Sequence, residues 1–329
     1  MALYIVLLLL GLALVVFGAD WLVDGASGIA RKIGLSEFVI GLTIVGMGTS
    51  APEMVVSFVG AFEGNSAISA GNIIGSNIFN TLLILGITAM ILPIYMTPEN
   101  RRKDIPMNIA ISALVIILGM KATLMPHIAS ALGWSNTLGR VDGAIMLIIF
   151  FLYVGYSLRK GMQKQSEDEG GEEVVEPQMG TFKAILLVLL GMGCLILGGR
   201  LFVNNATSLA RLIGVSDKFI AITILAAGTS LPELATCVVA AAKKKGQLAL
   251  GNLLGSNIFN VLLILGGSAL IHPVSFAAIT WFDLGIFFLG SILVWLSAYT
   301  ERNNKIDRLD GTMMILAEIG YMIYLFIHL

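Results

Sequence analysis

Charge is what this sequence has least of. Only 12% of its 329 residues are Asp, Glu, Lys or Arg, about half the share usual in soluble domains. It holds three histidines and two cysteines, which excludes a disulfide framework and leaves little for a zinc, copper or iron centre. Cys194 and Cys237 lie inside apolar segments and read as small packing residues. The net charge of −1 says nothing about nucleic acid, and no basic patch interleaved with aromatics suggests it. What is abundant is apolar sequence. Residues 3–19, 105–120, 141–158, 184–199 and 284–298 are almost free of charge, and with their flanks they reach the roughly 20 residues that a bilayer core demands of a helix. The first run has no basic leader, is followed by Asp20 and Asp24, and is echoed later in the chain. It reads as a span and not as a cleaved signal.

Apolar segments between polar breaks predict an all-α integral membrane protein of ten transmembrane helices: about 3–25, 37–62, 66–93, 104–125, 139–160, 181–207, 217–242, 246–271, 277–299 and 308–328. One long polar stretch, Lys160 to Pro177, reads as an acidic cytoplasmic linker over 161–180 between five-helix halves at 1–160 and 181–329. The halves repeat. Gly48-Thr49-Ser50-Ala51-Pro52-Glu53 returns as Gly228-Thr229-Ser230-Leu231-Pro232-Glu233, and Gly71 to Asn80 returns as Gly251 to Asn260, both at an offset of 180. Across 41–86 and 221–266, 22 of 46 positions are identical, which marks an internal duplication. Val23, Ala26 and Arg31 match Val203, Ala206 and Arg211 at the same offset, and Arg140-Val141-Asp142-Gly143 resembles Arg308-Leu309-Asp310-Gly311. An odd number of helices per half inverts the second copy in the membrane. With the N-terminus outside, cytoplasmic segments hold 15 Lys and Arg residues, against Lys121, Arg140, Arg211 and Lys218 on the other face. Both termini are therefore expected on the non-cytoplasmic side of the cell (inner) membrane.

Glu53 and Glu233 each fall deep in an apolar helix, where a charge costs several kcal/mol and needs a partner. No Lys or Arg lies at that depth in the repeated helices; Arg200 is expected near an end of the sixth. Two carboxylates without an internal cation imply an external one. The plainer reading is a pair of protonated glutamates bonded to neighbours. Pro52 and Pro232 lack the N–H that would bond the carbonyls of Gly48 and Gly228, and freed carbonyls at membrane depth belong beside a polar cavity. Ser76 and Asn80 share one helix face, as do Ser256 and Asn260. Asn72, Asn252, Asn77 and Asn257 fit a role as interhelical glue equally well. Carboxylates, hydroxyls, amides and carbonyls are hard oxygen donors, suited to calcium, which takes about six to eight of them, and to sodium. The histidines, His127, His272 and His328, fall at loops or the C-terminus. With no nucleophile–base pair or metal centre of His and Cys read at membrane depth, no enzyme activity is expected; no resident cofactor or obligate protein partner is expected either.

The two Gly-Thr-Ser-x-Pro-Glu and Gly-Asn-x-x-Gly-Ser-Asn-Ile segments resemble the paired α-repeats of the sodium/calcium exchanger family, within the cation/calcium antiporter superfamily. The compact chain is most similar to its prokaryotic members. The resemblance implies that the second, third, seventh and eighth helices form the ion-binding core, across which the long, tilted first and sixth slide. It implies that Glu53 and Glu233 are the principal calcium ligands, shared with sodium sites. Thr49, Ser50, Thr229 and Ser230 would add hydroxyl or carbonyl oxygens, Gly46 and Ala226 backbone carbonyls, and Ser76, Asn80 and Ser256 further ligands. Several members carry aspartate where this chain has Asn260, so proton coupling or potassium dependence at that position is in doubt. Exchange of calcium for sodium is the expectation. A calcium/proton or potassium-dependent exchanger is the alternative.

Overall fold

A computed structural model of the protein describes residues 1–64, 66–167, 179–214, 226–300 and 304–328. The acidic stretch at 168–178 and the predicted start of the seventh helix at 217–225 lie outside the described residues. Secondary structure is helical apart from two short strand pairs. Among the described residues, seven helices are long and apolar enough to cross a membrane: α1 (Ala2–Ile33), α4 (Ile68–Ile91), α6 (Arg140–Glu167), α7 (Thr181–Leu212), α10 (Gly246–Ile271), α11 (Trp281–Thr300) and α12 (Arg308–His328). An eighth crossing is made if α2 (Glu37–Thr49) and α3 (Ala51–Phe62), bent by 48° at Ser50, count as one. Shorter helices are α5 (Ile105–Gly119), α8 (Ala226–Thr229) and α9 (Leu231–Ala242).

Two predicted boundaries need correction. α1 was expected to stop near residue 25 but continues to Ile33, where Gly34 adopts φ 66° and returns its N–H to the Ala30 carbonyl. Asp20 and Asp24 therefore lie inside the helix. The predicted span 104–125 is instead broken at Met120: a π-helical turn, Asn100–Asp104, leads into α5, and a single turn, Lys121–Leu124, follows the break. Lys121 turns aside to pair with Asp142 at 2.5 Å, and Met125, preceding Pro126, is held out of helical geometry at φ −129° and ψ 62°.

α1 and α7 each hold 32 residues, about 48 Å of helix against a hydrocarbon core of about 30 Å. Both must tilt. They lie antiparallel along one another through residues spaced by seven: Gly11, Gly18 and Gly25 face Gly198, Gly191 and Ala184 respectively. A Cβ on Gly18 would stand 2.8 Å from the Gly191 carbonyl oxygen, and one on Gly191 2.7 Å from that of Gly18. Only glycine allows this approach, and the seven-residue period keeps the seam on one face of each helix.

α10 is buried along almost its full length and α4 along most of it, whereas α1, α6, α7 and α12 expose much of their apolar surface, including Leu9, Phe151, Leu189 and Leu316. That inversion of the soluble pattern places the polar business of the chain in the middle and hydrocarbon outside. The halves are tied together reciprocally. Ile94–Tyr95 pairs with Lys305–Ile306, and Thr137–Leu138 with Val274–Ser275. The Arg-x-Asp-Gly repeat explains itself here. Asp142 and Asp310 reach back to accept the N–H groups of Gly139 and Asp307 at 2.7 and 3.1 Å, capping the starts of α6 and α12. The glycines that follow seat those helices on the carbonyls of Gly266 and Gly86, respectively.

Candidate functional site

Each repeat breaks its helix two residues before the proline. Ser50 (φ −78°, ψ 7°) and Ser230 (φ −86°, ψ 8°) leave the helical region, and Pro52 and Pro232 then occupy the first turn of α3 and α9, where a missing N–H costs nothing. Glu53 and Glu233 consequently sit in the first turn of a new helix, where exposed N–H groups and the helix dipole favour negative charge. Both carboxylates are fully buried, close enough to repel one another, and neither has a basic partner among the described residues.

Their neighbours cross between the repeats. Ser50 Oγ donates to Glu233 Oε1 at 3.1 Å, and Ser230 Oγ donates to Glu53 Oε1 at the same distance. Ser76 Oγ also donates to Glu53 Oε1, at 3.4 Å. On the other side Thr49 Oγ1 donates to Asn252 Oδ1 at 3.1 Å and lies 3.3 Å from Ser256 Oγ, while the Gly46 carbonyl accepts from Ser256 Oγ at 3.3 Å. Thr229 stands beside Glu53, one turn after Ala226, which opens α8. Asn80 and Asn260 complete the set. Asn80 Nδ2 donates to Asn257 Oδ1 at 3.2 Å and Asn260 Nδ2 to Asn77 Oδ1 at 2.9 Å, so the same exchange of halves recurs.

These donations leave acceptors over. Glu53 Oε2, Glu233 Oε2, Asn80 Oδ1 and Asn260 Oδ1 are buried and have no hydrogen-bond partner. They are acceptor-only atoms at two equivalent pairs of positions, and a buried acceptor without a donor is costly. A hard cation would satisfy them. No cluster of three or more His, Cys, Asp or Glu residues occurs among the described residues, so any ion held here would rest on two carboxylates and neutral oxygens.

The structure thus brings together Glu53, Glu233, Ser50, Ser230 and Ser76, with Thr49, Ser256 and Gly46 alongside, and ties Asn80 and Asn260 to the asparagines of the opposite repeat. Asn72 fits the interhelical role: its Nδ2 reaches Ser57 Oγ at 3.0 Å and the Glu53 carbonyl at 3.3 Å. Its twin Asn252 bonds Cys237 Sγ at 3.2 Å but also takes the Thr49 hydroxyl, which sequence alone did not indicate. Asn77 and Asn257 do more than join helices, since they orient the amides of Asn260 and Asn80. Asn80 also opens a wider π-helical turn, Asn80–Ile84, and Asn260 lies in another, Phe259–Leu265, a distortion frequent at functional sites.

The sequence profile of the sodium/calcium exchanger protein family matches residues 3–159 and 183–328. The chain belongs to that family. Among relatives of this exchanger-family chain, the sodium/calcium exchanger MaX1 of Methanosarcina acetivorans is 31% identical, with 97% of each chain covered. The inner membrane protein YrbG of Escherichia coli is 30% identical over 88% of this chain and 95% of its own. Among solved structures, the sodium-calcium exchanger NCX_Mj, soaked without sodium and calcium, superposes with a TM-score of 0.82 at 30% identity, covering 98% of this chain and 99% of that one. This exchanger-family chain is accordingly a multi-pass membrane antiporter of the cation/calcium type.

Proposed function

We propose that this exchanger-family member moves calcium against sodium by alternating access, with Glu53 and Glu233 holding calcium and sharing sodium. The observation that carries the reading is the set of four buried acceptor oxygens without donors, two of them on carboxylates that have no basic partner. Two carboxylates balance one calcium ion or two sodium ions. Hydroxyls are rotors that both donate and accept. Ser50, Ser230 and Ser76, which now donate to carboxylates, would turn lone pairs toward an ion, joined by oxygens of Thr49, Thr229, Ser256, Asn80 and Asn260 and the carbonyls of Gly46 and Ala226. Calcium's six to eight oxygens can be drawn from that set.

Ten spans in two inverted five-helix halves, 1–160 and 181–329, complete the proposal, with the segment 161–180 cytoplasmic and both termini outside the cytoplasm. Reciprocal contacts between matched residues support it, because inverted repeats place a shared site at their interface. The test is labelled-calcium uptake into proteoliposomes loaded with sodium, beside identical vesicles given only an outward proton gradient. Uptake driven by sodium is expected. Uptake driven by protons alone would overturn sodium coupling and assign a calcium/proton exchanger with the same two glutamates.

A further inference from the structure

At the offset of 180 that relates the repeats, Asp20 and Asp24 of α1 correspond to Arg200 and Asn204 of α7. Lys243, just beyond α9, corresponds to Glu63, just beyond α3. The long helix and the end of the bent helix thus carry opposite charges in both halves, with the signs exchanged. In the first pairing the charges meet. Lys243 Nζ lies 2.6 Å from Asp20 Oδ1 and 2.7 Å from Asp24 Oδ1, and Lys245 Nζ lies 3.7 Å from Asp24 and donates to Ser27 Oγ at 2.8 Å. The carboxylates outweigh the cost of partial burial and hold the Lys243 ammonium above the usual lysine range. α1 packs along α9 at this end.

The second pairing is apart. Glu63 and Arg200 are exposed, neither makes an ion pair among the described residues, and α7 makes no comparable contact with α3. Arg200, expected near a helix end, lies twelve residues before the end of α7, inside the long helix as Asp20 lies inside α1. One of the two equivalent contacts is latched; the matching one at the other end is open. In an inverted repeat the halves exchange conformations between states.

We infer that Glu63 and Arg200 are positioning residues of a second latch, which closes when the Lys243 latch releases. The inference rests on the alternating-access reading above. An exposed ion pair biases an equilibrium only about two- to fivefold, strong enough to favour one state and weak enough to break in every cycle.

The experiment uses the full chain in proteoliposomes, with Cys194→Ala and Cys237→Ser as background. Calcium uptake by the background protein tests the exchanger reading by itself. Two pairs are then compared, Glu63→Cys with Arg200→Cys and Asp24→Cys with Lys243→Cys, under mild oxidation during uptake. Each pair is expected to bridge, each bridge to stop uptake, and a reductant to restore it. A chain carrying all four cysteines should form one bridge at a time. A Glu63/Arg200 pair that stays reduced in a protein that transports would overturn the inference, as would a bridge that leaves the rate unchanged. As a second readout, Glu63→Arg should slow uptake about two- to fivefold, and adding Arg200→Glu should restore it. Failure of the double exchange to restore the rate also overturns the latch.

Discussion

Replacing Glu233 by Gln separates an ion ligand from a buried structural acid. The carboxylate is fully buried. A calcium ion about 4 Å from its charge centre, at an effective dielectric of about 20, gains about 8 kcal/mol from it. About half of that offsets the several kcal/mol already spent holding the carboxylate out of water. A net loss of about 4 kcal/mol weakens binding by about a thousandfold. At calcium one hundred times the parent dissociation constant, the parent gains about 2.7 kcal/mol of stability from the ligand, and the variant less than about 0.1. Without calcium the order reverses. Gln still accepts the Ser50 hydroxyl that lies 3.1 Å from Glu233 and no longer repels Glu53, so the calcium-free variant should melt no lower than the parent. Thermal unfolding in detergent, with and without calcium, reads both halves of the prediction, and labelled uptake should be abolished. A calcium-dependent rise in melting temperature equal to the parent's would refute the assignment of Glu233 as a ligand.

Three further perturbations follow from particular contacts. Gly18→Leu drives a side chain into the Gly191 carbonyl 2.8 Å away and should cost about 1–3 kcal/mol, with slowed transport; normal melting and flux would show that α1 and α7 need no such seam. Glu318 is 3% exposed at the middle of α12 and its Oε2 has no partner, so Glu318→Leu should raise stability by about 1–3 kcal/mol; a lower melting temperature would reveal a partner bound there. Asn260→Asp puts a third carboxylate where a buried amide oxygen has no donor and should make flux depend on pH or on the choice of cation; identical flux from mildly acidic to mildly alkaline buffer would remove Asn260 from the coupling site.

The duplication was legible because it is a property of spacing. Residues 180 apart had to play equivalent roles, and Ser50 with Ser230, and Asn80 with Asn260, do. Spacing could not say that each serine serves the glutamate of the other half, since partners across a two-fold relation are set by packing and leave no mark on either segment alone. The length of α1 is hidden in the sequence for a related reason. Asp20 and Asp24 look like the end of a span, yet Lys243, more than 200 residues later, neutralises them and the helix runs on. The break after α5 shows the converse: the predicted span runs on to 125, but the helix is interrupted at Met120 and Lys121 is drawn to Asp142 on another helix. The π-helical turns at Asn80 and Phe259 shift a backbone hydrogen bond by one residue, a change that apolar periodicity does not register.

The pattern of symmetric and asymmetric contacts bears on how such a chain could move. Around the carboxylates two sets of contacts are interchangeable between the halves: Ser50 to Glu233 and Ser230 to Glu53 have the same length, and the asparagine bonds cross in both directions. At the periphery the equivalence fails, for α1 lies on α9 while α7 stands off α3. A motion that disturbed the centre would have to break buried hydrogen bonds, each costly where water is absent. Carrying α1 and α7 across the core as one glycine-seamed body would instead trade one exposed ion-pair contact for another. The stiff, reciprocal centre and the lightly latched rim therefore favour a cycle in which the ion site stays assembled and the path to it changes sides.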